Sequence, residues 1–442
     1  MQVIIPDTIY SGGALLSGKA LWIDADRVSR VDEASRAPAD ARRMPGRALL
    51  PGFCNAHSHA FQRGLRGRVQ YSVGGDSFWT WRDTMYRLAN ALDPDGVEAV
   101  SALAFLEMVR AGYTTVGEFH YLHHQPDGTA YADPDELAWR VAAAAEAVGI
   151  RLVLLRVAYA RSGYGAAPNQ LQRRFIDASP DAVLSSLGRL SARGLRVGLA
   201  PHSIRACPRD WLRALRAFDG PIHAHVDEQP GEIASSLAEY SARPLTVFAE
   251  EGLVDSRFTA VHFTHAADDE RRLLLEQSAL VCVCPSTELD LGDGFFPASA
   301  HASGRLCIGS DSQVLIDPIA EIRAIEWHGR ALANRRNVVQ PQNQVSASAA
   351  RLWEIGSRGG AEALGLVRPG ELEGGLVPGA LADFIAVDTS RPEQVGGELL
   401  PSLVYSGAAV TDVWVGGRQV VVDGDHTATE AILARARRVL AV

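Results

Sequence analysis

Lysine is almost missing from this chain. Lys19 is the only one, and every other basic residue is arginine. It lies in the N-terminal segment, far in sequence from any candidate site, which argues against a lysine Schiff base or a carboxylated lysine bridging two metals. Cysteine is also scarce. The five present (Cys54, Cys207, Cys282, Cys284, Cys307) are odd in number and widely spaced. That is no disulfide framework, and it fits a reducing cytoplasm. Cys282 and Cys284 alternate within "LVCVCPS" and read as core. No run of about eighteen apolar residues appears, so no transmembrane helix is expected. The N-terminus lacks the basic start and long apolar stretch of a signal peptide. The net charge of −9 offers nothing to attract nucleic acid or an anionic membrane. What remains is ordinary for a soluble globular chain of 442 residues, at 47% hydrophobic and 21% charged. That length predicts one large domain beside a smaller one.

The pattern along the chain divides it. Residues 1–50 carry short apolar runs broken by "SGG" and "DADRV", as in a small β-rich unit. From 51 the texture becomes strand alternating with helix. In "LDPDGVEAVSALAFLEMVRAG", Asp93 is placed to cap a helix, Pro94 to open it and Gly112 to stop it. Further helices are predicted over 134–148, 180–193, 208–218, 232–250 and 267–277. With the apolar run "RALLPGF" before His57 taken as the first, eight strands are expected. Strand–helix alternation of this kind makes a parallel sheet, and eight units make a (β/α)8 TIM-like barrel whose site lies at the carboxyl ends of its strands. From 368 to 442 the chain returns to short strands and tight turns. The expected fold is α/β, a barrel over 51–367 with a small β-sandwich built from residues 1–50 and 368–442. "SRGGAEALG" at 357 reads as a helix entry and not as a phosphate loop.

The chemistry-bearing residues collect at the predicted strand ends. "PGFCNAHSHAFQRGLRG" places His57 and His59 two residues apart, hence on one side of an extended chain. Strand five ends in "HAHVDE", strand six in "HFTH" and strand eight in "GSDS". Each piece alone is weak. A barrel would converge all of them, and three histidines with one aspartate suit zinc while leaving room for water. Spacing alone leaves both His223 and His225 open as ligands. "FHYLHH" holds His120, His123 and His124, but no cysteine or carboxylate cluster joins them, and no second metal site is expected there.

"PGFCNAHSHAFQRG", "HAHVDE", "VHFTH", "IGSDS" and "GALADFIAVD" resemble the amidohydrolase superfamily in its deaminase branch. "HSHAFQRG", "DSFWTWRDTMYR", "EFHYLHH", "HSIRA" and "STELDLGDGFFP" resemble, more narrowly, the bacterial formimidoylglutamate deiminases. The resemblance covers essentially the whole chain. It implies a metal-dependent barrel with one zinc ion, and hydrolysis of N-formimino-L-glutamate to N-formyl-L-glutamate and ammonia in histidine breakdown. Carried over position by position, the ligands would be His57, His59, His225 and Asp311, with Glu228, His262 and Asp311 catalytic. His223 and His265 would be structural. Gln62, Arg82, Tyr121, His202 and Arg205 would bind a small dicarboxylate, since arginine forks pair with carboxylates. A homodimer is one expected assembly, with no nucleic-acid or membrane partner. The rivals are a deaminase of guanine or a related heterocycle, a binuclear hydrolase, which the lysine shortage disfavours, and a catalytically dead barrel, which would have no need of the full ligand and acid–base set.

Overall fold

The computed structural model describes residues 1–70, 78–340, 348–371 and 374–441. Eight parallel strands close into a barrel: Phe53–Ser58, Tyr113–His120, Arg151–Ala158, Val197–Pro201, Ile222–Val226, Phe258–His262, Leu280–Val283 and Arg305–Ile308. They are referred to below as barrel strands 1 to 8. Neighbours in sequence pair throughout, and Ile308 beside Asn55 closes the ring. Strands 1 and 2 are buried at every position. Side chains fill the barrel and helices cover its outside, so even the polar residues of these strands, such as Asn55, His57, Thr115 and Glu118, are buried.

The helix signals hold where caps are written in the sequence. Asp93 accepts the Gly96 N–H, Pro94 opens the helix Pro94–Ala111, and Gly112 at φ 101° ends it. Helices also form over Glu136–Val148, Pro180–Ala192, Arg209–Leu215 and Asp268–Glu276. The expected helix 232–250 is two, Pro230–Tyr240 and Pro244–Glu250. Ser241 is left-handed at φ 55°, and Pro244 removes an N–H donor and restricts the residue before it, so the chain breaks between them. "SRGGAEALG" closes a helical run rather than opening one. Ser348–Glu354 is already helical, and the run passes through a π turn at Ile355–Gly359.

"RALLPGF" belongs to two sheets, not one strand. Arg42–Pro51 pairs with Gln2–Ser11 and Phe384–Asp388, Gly52 intervenes, and Phe53 begins the barrel. The terminal segments form one separate eight-stranded sheet, ordered Arg418–Val421, Val410–Val415, Phe384–Asp388, Arg42–Pro51, Gln2–Ser11, Lys19–Asp24, Arg27–Glu33, with Ala14–Ser17 added on Gln2–Ser11. Ile4, Leu21, Leu49 and the stacked pair Phe384–Trp414 make its core. All five cysteines are buried and free, and Cys282, Cys284 and Cys307 pack in one apolar cluster. Among the described residues no helix is long and apolar enough to cross a membrane.

Candidate active site

Barrel strand 1 ends at Ser58, so His57 projects from the strand and His59 from the turn behind it. Asp311 follows strand 8 at φ 44°, a left-handed conformation costly for a residue with a side chain. Two backbone hydrogen bonds stitch the loops together: Asp311 N–H to His57 O and His59 N–H to Asp311 O, both 3.0 Å. Gly309 permits this closeness, because a Cβ there would lie 2.8 Å from both His57 Cβ and His57 O. His225 arrives from strand 5. The result is one buried cluster of His57, His59, His225 and Asp311. Asp311 Oδ1 is 3.0 Å from His57 Nε2 and 3.1 Å from His59 Nε2, and His225 Nε2 is 3.2 Å from His57 Nε2.

The proton inventory shows what the cluster fits. His59 donates from Nδ1 to Phe119 O at 3.0 Å, and His225 from Nδ1 to His202 O at 2.9 Å. Burial pushes His57 down to about 3, against the pull of Asp311, and holds His225 well below its ordinary value. A neutral imidazole carries one N–H. Those spent on carbonyls leave bare Nε2 lone pairs facing one another and a carboxylate. Such a set repels itself unless a cation sits among its members, and nitrogen and oxygen donors in this number suit a divalent metal. The Nδ1 hydrogen bonds to main-chain carbonyls are the outer contacts that orient metal-binding imidazoles.

Glu228 is brought to the same place by a kink. In a regular strand it would face away from His225, since side chains alternate. Asp227 at φ 53° breaks the alternation and turns Glu228 back. Strand 6 ends in a second strained pair, His262 at φ 71° and Phe263 at φ 57°. His262 lies with Nε2 3.7 Å from Glu228 Oε1 and Nδ1 3.3 Å from Glu288 Oε1. Burial opposes charge on His262, but the carboxylates of Glu228 and Glu288 outweigh it and hold the imidazolium.

The pocket beside this cluster is lined by His59, His225, Asp311 and Glu228, and by Gln62, Arg82, Tyr121, His202 and Arg205. Gln62 donates to the Tyr121 hydroxyl at 2.7 Å. Burial opposes the Arg205 charge, but the neighbouring Tyr159, Glu232 and Glu228 raise its pKa overall, so it stays a cation. The other histidines lie elsewhere. His223 donates to Ala363 O at 2.9 Å, and His265 to Asp293 O at 2.7 Å. His123 and His124 bond the carbonyls of Val157 and Ile176, with the Arg156 guanidinium against His123, and none of the "FHYLHH" histidines joins a metal-binding group among the described residues.

Glu288, Glu118, Tyr86 and Tyr159 received no role from the sequence. Glu288 orients His262 and also accepts the Cys284 N–H at 2.8 Å. Glu118 accepts Ser58 Oγ–H at 2.6 Å and Ala60 N–H at 2.7 Å, which fixes the turn between His57 and His59. Tyr86 and Tyr159 line the pocket. Glu118, Glu288 and Tyr86 lie inside the motifs of the family resemblance and Tyr159 at a strand end, so position was the available signal.

Residues 48–420 match the amidohydrolase family. The chain is 40% identical over 410 residues to the formimidoylglutamate deiminase of Pseudomonas aeruginosa, covering 89% of each. Among solved structures it is similar to an amidohydrolase from Brucella melitensis, at 34% identity and a TM-score of 0.92, over 100% of this chain and 99% of that one. It is also similar to an adenosine deaminase from Xanthomonas campestris with bound zinc, at 27% identity and a TM-score of 0.83, with the same coverage.

Proposed function

The chain belongs to the amidohydrolase family, and from that premise we propose that it hydrolyses N-formimino-L-glutamate to N-formyl-L-glutamate and ammonia, with one zinc ion held by His57, His59, His225 and Asp311. The observation that carries this reading is a single pocket that joins the buried ligand cluster to two arginines, Arg82 and Arg205. Two guanidinium groups beside the cluster match the two carboxylates of a dicarboxylate, and a purine carries no carboxylate to offer them. When bound, a divalent cation on this ligand set supplies the Lewis acidity that makes water a nucleophile near neutral pH. Asp311, the one carboxylate in the cluster, takes a proton from the attacking water. His262, held as an imidazolium, donates a hydrogen bond to the incoming oxygen. Glu228, 3.7 Å from His262, takes the water's other proton and passes it to the leaving nitrogen, and Asp311 returns the first, so that ammonia departs and the formyl group stays on glutamate. Arg82 and Arg205 hold the carboxylates, with Gln62, Tyr121 and His202 as further polar contacts.

A substrate panel tests this reading. Ammonia release is expected from formiminoglutamate and not from guanine or adenosine. Arg205→Ala should lose about 30- to several-thousand-fold in kcat/KM, the loss that accompanies about 2–5 kcal/mol for truncating one partner of a desolvated charge pair. Arg205→Lys should rescue only partly, since a point charge cannot copy a planar fork. Consumption of guanine, with formiminoglutamate ignored, would replace this reading by the heterocycle one. Native activity in a folded Arg205→Ala would remove the carboxylate assignment.

A further inference from the structure

Tyr86 and Tyr159 reach the pocket from different elements, and a third buried residue joins them. Tyr86 lies on the helix Phe78–Ala91, which also carries Arg82, and Tyr159 directly follows barrel strand 3. Gln172, in the 3-10 turn Gln170–Phe175, is outside the pocket lining and only 1% exposed. Its Nε2 stands 2.9 Å from the Tyr86 hydroxyl and 2.9 Å from the Tyr159 hydroxyl. Its Oε1 makes no hydrogen bond, so the polar contacts of this amide are with the two tyrosines alone.

The direction of these bonds has a consequence for the pocket. An amide NH2 has two hydrogens and no free lone pair. It therefore donates one hydrogen to each phenol oxygen, and neither tyrosine can spend its own hydroxyl hydrogen on Gln172. Only one of a pair of phenols can donate along the line between them, so even a Tyr86–Tyr159 bond leaves one hydroxyl hydrogen over. The surroundings decide what that hydrogen meets. The Arg82 guanidinium carbon lies 5.6 Å from the centre of the Tyr86 ring, and Arg205 shares the same pocket wall. An acceptor arriving there is anionic, and hydrogen bonds to charged acceptors are the strong ones.

We propose that Gln172 is a positioning residue that frees a hydroxyl hydrogen of the Tyr86–Tyr159 pair for the pocket, where it binds a substrate carboxylate alongside Arg82 and Arg205. The proposal rests on the dicarboxylate reading above. The reverse orientation of the amide would place Oε1 between the phenols and absorb both hydrogens, and it makes the opposite prediction.

The test is steady-state kinetics on formiminoglutamate and on its diamide, for the native chain, Tyr86→Phe, Tyr159→Phe, Gln172→Leu and the combination of Gln172→Leu with each phenylalanine variant. At least one phenylalanine variant should raise KM for formiminoglutamate roughly 10- to 100-fold, the range for one hydrogen bond to a charged group, with kcat falling at most a few-fold. Gln172→Leu should raise KM in the same way. Adding it to the sensitive phenylalanine variant should cost little more, because both remove the same contact. The KM differences should shrink on the diamide. A Gln172→Leu effect that multiplies independently with the tyrosine effects would make Gln172 a packing residue and overturn the proposal. So would native KM in both phenylalanine variants, which remove one oxygen each and keep the proposal testable even where Gln172→Leu does not fold. Turnover by the native chain with unaltered tyrosine variants defeats this inference alone. No turnover by the native chain defeats the functional reading and this inference together.

Discussion

Stripping the metal from the native chain with a chelator should abolish ammonia release, and one equivalent of zinc per chain should restore it. The loss should be total because the ligand set has no second use. Its nitrogens and the Asp311 oxygen lie 3.0–3.2 Å apart with too few hydrogens to satisfy one another. Removing the cation leaves those lone pairs facing one another in a buried site, so the apo chain should also unfold at a lower temperature, by the linkage that ties any ligand of the native state to stability. Asp311→Asn should reproduce the loss of turnover, since it weakens the ligand set and removes the group that takes the water's proton. Elemental analysis gives the check. About one metal per active chain is expected, and two would contradict a mononuclear centre. The lysine shortage noted at the start agrees with one metal, because no lysine accompanies these strand ends to bridge a pair.

Glu228→Gln should lower kcat by about 10²–10⁴, the usual contribution of a positioned acid or base, with metal content unchanged. Glutamine keeps the shape of the side chain and loses the carboxylate that carries the proton. The separation of the two effects matters. Glu228 is not in the ligand cluster, yet the left-handed Asp227 turns it toward the same pocket and sets it 3.7 Å from His262. Metal analysis beside kcat therefore distinguishes a proton carrier from a ligand. Near-native kcat in Glu228→Gln would take the residue out of the mechanism. A loss of metal in the same variant would make it structural for the cluster.

Residues at strand ends were legible in the sequence because a closed barrel converges them whatever its loops do. His57, His59, His225, Glu228, His262 and Asp311 all stand at or just beyond the ends of strands 1, 5, 6 and 8. Apolar continuity could not show that "RALLPGF" changes sheets at Gly52, since Ala48–Leu50 before it and Phe53–Ser58 after it are both buried runs. The break between Tyr240 and Pro244 was written in a proline but overridden by helical periodicity on both sides. The helices Phe78–Ala91, Pro318–Ala333 and Thr429–Leu440 went unread, although Asp317 caps the second by accepting the Ala320 N–H at 3.0 Å and Pro318 opens it. Glu118, Glu288 and Gln172 act through partners 60, 26 and 86 residues away in sequence, and spacing along one chain does not report such pairs.

Hydrolysis at the formimino carbon can expel either nitrogen, and this choice defines the reaction. Incubating the chain with formiminoglutamate in water enriched in oxygen-18, and following both products, tests the central claim most directly. The predicted result is one ammonia per turnover with N-formyl-L-glutamate carrying one labelled oxygen, because Glu228 delivers its proton to the terminal nitrogen while Arg82 and Arg205 retain the glutamate portion. Glutamate and formamide as the products, or no turnover of formiminoglutamate at all, would contradict it.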